Sequence, residues 1–155
     1  MRGRTTVRPA PRLDTPLHRV NDPPMSTTVG LDLVSVDTVV EALRGANRDR
    51  YLARIYTERE VDDCMTPSGV DPERLAARFA AKEATLKVIS TGEDGISFKD
   101  IEVRRDPSGR VHLELHGRAA SFAAEAGVVD LALSLTHEGG FAAAVVVADW
   151  TSSPD

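Results

Sequence analysis

Apolar residues recur along this chain with two periods, one of two residues and one near 3.6, and the switches between them mark its elements. Residues 28–34 alternate, with Val29, Leu31 and Leu33 on one face and Gly30, Asp32 and Val34 on the other, which predicts a strand. Residues 36–53 take a helical spacing through Val36, Val39, Val40, Leu43, Tyr51 and Leu52, broken near Gly45 and Asn47 into two segments. Thr57 and Glu60 have the spacing of a capping box for a short helix ending near Met65. Thr66-Pro67-Ser68-Gly69 is a turn cluster. Residues 73–92 then read as a helix marked at both ends. Asp71 is the N-cap, Pro72 the first helical position, Glu73 complements the positive end of the dipole and Gly92 is the stop. Its stripe of Leu75, Phe79, Leu86 and Ile89 is predicted to face the core.

The second half is mostly strands. Residues 97–105 and 110–116 flank Asp106-Pro107-Ser108-Gly109, a hairpin signal, and residues 117–127 form an alanine-rich helix. Residues 129–136 alternate with Leu131, Leu133 and Leu135 inward, and residues 141–148 are almost wholly apolar, the mark of a central strand. The order β-α-α-α-β-β-α-β-β with antiparallel hairpins predicts an α+β domain, an antiparallel sheet with helices packed on it. One such domain is expected over residues 28–149, with residues 150–155 as a tail. Residues 1–27 are expected to be a disordered N-terminal extension. The first 24 lack periodicity and are rich in proline and arginine, and Met25 is an equally good translational start.

The length of 155 residues suits one core and not two. Five arginines against Asp14 and Asp22 in the first 24 residues leave the remainder at −8, out of a net charge of −5. That balance argues against a general nucleic-acid binder. The longest apolar run, residues 141–148, is far short of a membrane span. Cys64 is the single cysteine, so neither an intrachain disulfide nor a thiolate metal cluster forms, and a reducing, cytoplasmic setting is expected. Within the acidic remainder Arg44, Arg48, Arg50 and Arg54 cluster, opposed by Asp49 alone. A local basic patch on an acidic body suits one acidic partner, and equally a solvated helix face.

Candidate chemistry is sparse. Glu83 sits at the edge of the apolar stripe and Lys87 lies one turn further, a spacing shared by ordinary solvated ion pairs. Asp32 is a poor strand former whose carboxylate needs a partner or a metal, unless it marks a bulge, and Gly30 on the same face leaves room for a close approach. His137 ends a strand beside Gly139-Gly140, whereas His112 and His116 fall on a wet strand face without an Asp or Cys companion and read as surface residues.

Three segments in order carry a resemblance: Val-Gly-Leu-Asp at 29–32, Arg-Phe-Ala-Ala-Lys-Glu-Ala-Thr-Leu-Lys at 78–87 and Ser-Leu-Thr-His at 134–137. Together with the hairpin around residues 98–103 and Gly109-Arg110, they resemble the holo-acyl-carrier-protein synthases of the 4′-phosphopantetheinyl transferase superfamily. The resemblance implies Mg²⁺-dependent transfer of the phosphopantetheine arm of coenzyme A to a serine of an apo-acyl carrier protein, with release of adenosine 3′,5′-bisphosphate. It implies that Asp32 and Glu83 hold the metal, that Glu83 removes the serine proton directly or through a bound water, and that Lys87 neutralises the leaving group. Arg78, Lys87, Ser90, Thr91, Gly92, Ser134 and His137 would line the coenzyme A cleft. It implies a homotrimer with sites between subunits, His137 coming from one and the metal pair from the next, and an acidic carrier docked on the arginine patch. Family sequences often carry basic residues where Asp37-Thr38 stands here, and many have histidine at the position of Ala132. Fatty-acid and polyketide carriers both stay open, as does a non-catalytic module of the same fold that binds coenzyme A or acyl-coenzyme A.

Overall fold

The computed structural model describes residues 25–90, 92 and 95–151. Strand β1 (Met25–Ser35) leads into helices α1 (Val36–Arg44), α2 (Arg48–Ile55) and α3 (Glu58–Asp63). A two-residue ladder of β2 (Met65–Thr66) and β3 (Gly69–Val70) follows, then the long helix α4 (Pro72–Ile89). A 3₁₀ turn at Phe98–Asp100 precedes the hairpin of β4 (Ile101–Arg105) and β5 (Val111–Leu115). Helix α5 (Gly117–Ala126) connects to β6 (Val128–Glu138) and β7 (Phe141–Thr151). The main sheet has the order β1-β7-β6, all antiparallel, so the apolar strand β7 is central as its composition predicts.

Residues Met25–Thr27, expected outside the domain, pair with Thr151, Trp150 and Asp149. The ladder is continued by side chains: Thr27 donates to Asp149 (2.7 Å) and the Trp150 indole to Thr28 (2.8 Å). The capping box at Thr57 and Glu60 forms, and Asp71 accepts from the Glu73 and Arg74 amides. Such caps contribute about 1 kcal/mol each.

Helix α4 departs from the expected single stripe. Leu75 and Ile89 are buried, but Phe79 and Leu86 are only partly so, while Ala76, Ala77, Ala80, Ala81, Ala84 and Val88 are buried too. The helix is covered on nearly every side because it lies between the sheet and the other helices. Small side chains make this possible. Ala80, Ala81 and Ala84 meet Ala144, Val146 and Ala148 of β7 in one core cluster, so the alanine content serves packing at this layer. At Gly30 the approach is closest: a Cβ there would lie 2.2 Å from the Ala84 carbonyl oxygen.

With Gly30 turned to the helix, the alternating partners Val29, Leu31 and Leu33 face outward and are 66%, 59% and 64% exposed. The register sets Leu31 beside Val145, with Ser134 beyond it on β6, and Leu33 beside Ala143, with Thr136 beyond it. The sheet therefore has an inner face on α4 and an apolar outer face. Among the described residues no helix is long and apolar enough to cross a membrane.

Gly30→Ala is expected to force α4 off the sheet and destabilise the fold by about 2 kcal/mol or more, since the obstructing atom is backbone. Thermal unfolding checks this; an unchanged Tm would show the layer to be slack.

Candidate active site

Asp32 lies on the inner face of β1, opposite Ala144 of β7. It is not a bulge residue: the β1–β7 register is continuous, and its carboxylate is partnered by the Lys87 ammonium at 2.9 Å. Lys87 also donates to the Leu31 carbonyl at 2.8 Å, so it ties α4 to β1. Glu83 stands one turn earlier on the same rim and is partly buried. Burial first, and the Asp32 charge second, push its carboxyl above the usual range, with Lys87 opposing. Lys87 thus pairs with Asp32 across the layer, and Asp32, Glu83 and Lys87 form one group. Two converging carboxylates, both oxygen donors, suit a hard divalent cation.

The helix ends just beyond. Ser90 is the C-cap of α4 and its hydroxyl accepts from the Gly92 amide at 3.0 Å, with Gly92 at φ 94°. Ser90 and Gly92 therefore follow Glu83 and Lys87 along the same end of the helix. Thr91 lies outside the described residues.

A second locus sits at the other end of α4, a cleft of about 380 Å³ lined by Arg74, Arg78, Arg105 and His137 among others. Arg78 is only 4% exposed. One guanidinium nitrogen donates to the Arg74 carbonyl (3.3 Å), another lies 3.9 Å from Asp63, and Nε has no hydrogen-bond partner among the described residues. His137 Nδ1 is 3.2 Å from the Glu73 carboxylate, which fixes the ring. This concentration of cationic donors suits an anion such as a phosphate. Five residues separate Arg78 from Glu83, a rotation of about 140° around the helix. One chain therefore presents the carboxylate rim and the cationic cleft on different sides. Ser134, expected beside His137, faces the other way: strand alternation puts it on the outer sheet face opposite Val145.

The arginine patch divides. Arg44 closes α1, and Arg48, Arg50 and Arg54 lie exposed on α2. Arg48 is held by Asp49 at 3.1 Å. Arg50 and Arg54 instead rim a groove of about 410 Å³ whose floor is Tyr51, Ile55, Phe79 and Phe98. The Phe79 and Phe98 rings are 5.5 Å apart. Phe79 precedes Glu83 by one turn, so the groove runs toward the carboxylate rim. Sequence periodicity places Phe79 in the core and gives no sign of this role.

Two further polar groups escape the sequence reading. Lys82 and Glu60 are fully buried and paired at 2.8 Å; burial pulls the ammonium below its usual range and Glu60 opposes this. His116 and His112 do have acidic companions. Glu102, Glu114 and His116 bring ligand atoms within 4.8 Å of one another, and His112 lies 3.3 Å from Glu114. Arg59, 3.0 Å from Glu102 and 3.6 Å from Glu114, and Arg104, 3.7 Å from Glu102, already neutralise these carboxylates. Glu114 stands two residues from each histidine, whereas Glu102 comes from the β4–β5 register, which spacing along one strand cannot reveal.

The sequence matches the 4′-phosphopantetheinyl transferase superfamily over residues 28–146. It is 40% identical over 121 residues to a holo-[acyl-carrier-protein] synthase of Halothermothrix orenii, covering 78% of this chain and 95% of the relative. The fold is similar to the ACPS–CoA complex from Chronobacterium ammoniagenes, with TM-score 0.69 and 32% identity over 82% of this chain and 99% of that one. It is also similar to the Helicobacter pylori holo-[acyl-carrier-protein] synthase in complex with coenzyme A, with TM-score 0.66 and 26% identity over 78% and 99%. With a match over residues 28–146 and the carboxylate rim intact on β1 and α4, this chain belongs to the 4′-phosphopantetheinyl transferase superfamily.

Proposed function

We propose that the protein transfers the 4′-phosphopantetheine group of coenzyme A to a serine of an apo-acyl carrier protein and releases adenosine 3′,5′-bisphosphate. The observation that carries this reading is the convergence of Asp32, Glu83 and Lys87 on one rim in a chain of this family. Phosphoryl transfer at a pyrophosphate depends mainly on positioning and on charge neutralisation, and this group offers both. Glu83, at the rim beside Asp32 and Lys87, takes the proton of the carrier serine hydroxyl, directly or through a bound water. Lys87, half exposed and held by Asp32 and the Leu31 carbonyl, turns toward the bridging pyrophosphate oxygen, which gains charge as its bond to the pantetheine-bearing phosphorus breaks and it departs with the adenosine 5′-phosphate. Mg²⁺ held by Asp32 and Glu83 would supply further positive charge for the pyrophosphate oxygens. Ser90 and Gly92 border the same end and complete the wall of the coenzyme A site.

Arg78 and His137, with Arg74 and Arg105 beside them, bind the nucleotide phosphates. Because they lie around α4 from Glu83, the complete site takes its rim from one subunit and its cationic cleft from the next, in a homotrimer. The outward row of Val29, Leu31, Leu33, Val145 and Phe141 supports an assembly through the sheet, as an apolar face of this extent is normally covered. Ser134 lies on that face and joins the site only at such an interface. The carrier docks on the groove rimmed by Arg50 and Arg54, where its acidic side chains meet the guanidinium groups and an apolar side chain fills the floor of Phe79 and Phe98. The buried Cys64 thiol, pushed up to about 11 by burial, fits a reducing cytoplasmic setting in which it has no redox part.

Incubation with an apo-carrier, coenzyme A and Mg²⁺ is expected to add a phosphopantetheine mass to the carrier. Its absence with fatty-acid and polyketide carriers alike would favour the coenzyme A-binding module instead. Asp32→Ala and Glu83→Ala should each lower kcat by about 10²-fold or more in folded protein; near wild-type turnover in either overturns the metal assignment. Arg50→Ala/Arg54→Ala is expected to raise the KM for carrier about tenfold and leave that for coenzyme A unchanged, which steady-state kinetics decides. Val29→Lys/Val145→Lys should sediment at the mass of one chain and lose transfer; a trimer that survives both charges would place the interface elsewhere.

A further inference from the structure

The residue immediately before Glu83 is as unusual as Glu83 itself. The Lys82 ammonium and the Glu60 carboxylate are both 0% exposed, and they meet at 2.8 Å between α4 and α3. Lys82 also donates to the Phe98 carbonyl at 2.8 Å and to the Ile101 carbonyl. The carboxylate is equally engaged, accepting from the Val103 amide (2.8 Å) and the Thr57 amide (2.9 Å). Four segments thus meet at one ion pair: the start of α3, the middle of α4, the 3₁₀ turn and β4.

Burial of such a pair is no net source of stability when apolar side chains could fill the same volume. What the pair supplies beyond cohesion is direction. An apolar contact tolerates sliding along the helix, whereas an ammonium with three short, differently oriented acceptors does not. One of those acceptors is the carbonyl of Phe98, whose ring packs on Phe79 and forms the floor of the arginine-rimmed groove. The donor sits in the peptide unit next to Glu83. The distance and angle between the groove floor and the Glu83 carboxylate are therefore set through this one side chain.

We propose that Glu60 and Lys82 are positioning residues that hold the carrier-docking groove in register with Glu83, so that a docked carrier delivers its serine hydroxyl to that carboxylate. The inference rests on the carrier-modifying function argued above. Neither residue touches substrate. Arg78 of the coenzyme A cleft lies one turn before Lys82 on the same side of α4 and its charge reaches the ammonium, but its guanidinium is bonded to the Arg74 carbonyl and faces Asp63 and not the pair, so coenzyme A binding should respond less than carrier binding to the pair's loss.

Two folded variants test this. Glu60→Gln/Lys82→Met removes both charges together and leaves no lone buried ion. Glu60→Asp keeps both charges and draws the carboxylate back from the ammonium by one methylene. For each, thermal unfolding is recorded first, then KM and kcat are measured against apo-carrier and against coenzyme A. Both variants are expected to melt cooperatively, with kcat/KM for carrier lowered about tenfold to a hundredfold and the KM for coenzyme A within about twofold of wild type. Unchanged carrier kinetics in a folded variant overturns the proposal, as does an equal rise in both KM values. If neither variant folds, the pair is a stability element and the positioning role is withdrawn. Wild-type protein that loads no carrier would instead overturn the function itself, an outcome distinct from any of these.

Discussion

The contact between Gly30 and the Ala84 carbonyl governs this molecule. A helix can carry a functional glutamate and a strand a functional aspartate, but neither group matters unless the two elements approach closely enough for the side chains to converge. Here the strand gives up its side chain at Gly30 and the helix presents alanines, so the backbones meet with no intervening methylene. Asp32, two residues on and on the same face of β1, then necessarily points at α4, and Lys87 reaches both its carboxylate and the Leu31 carbonyl. Packing at the layer and electrostatics at its rim are the same arrangement seen at two depths.

Much of this was legible in the residues. Alternation in β1, the apolar run of β7, the Asp71 and Thr57 caps and the hairpin around Asp106 are local signals, and local hydrogen bonding and side-chain period determine them. The three motif segments also located the rim, because Asp32, Glu83 and Lys87 come from elements that those signals define. What stayed hidden depends on orientation between elements. Val29, Leu31 and Leu33 carry the pattern of a core-facing row, yet face outward, because the size of Gly30 and not the hydrophobicity of its neighbours decides which side the helix takes. The stripe on α4 misleads for a related reason: when a helix is enclosed on most sides, its amphipathic signal fades and alanine becomes the core residue.

The charged residues show the same limit. A lysine and a glutamate twenty-two positions apart give no sequence cue to a buried pair, and Lys82 reads as one more polar residue beside a motif. His116 carries no sign in the sequence of its acidic partner Glu102, which sits across the hairpin in a register that only the folded ladder reveals. Ser134 and His137 lie three residues apart in one matched segment, but the pleat sends them to opposite sides of the sheet. Spacing identifies such a segment without saying which of its side chains share a space.

The outward apolar row on β1 and β7 has a consequence for how the protein comes into being. A single folded chain still has side chains such as Leu31 and Leu33 more than half in water, on a three-stranded sheet whose outer strands β1 and β6 are both edges. Such a surface binds other apolar surfaces with little selectivity until its own partner arrives. In the proposed trimer the last step of maturation would then be an encounter between protomers, faster at high concentration and in competition with off-pathway association. Chain synthesis rate and cellular abundance thereby become determinants of how much soluble protein accumulates, quite apart from how well one chain folds.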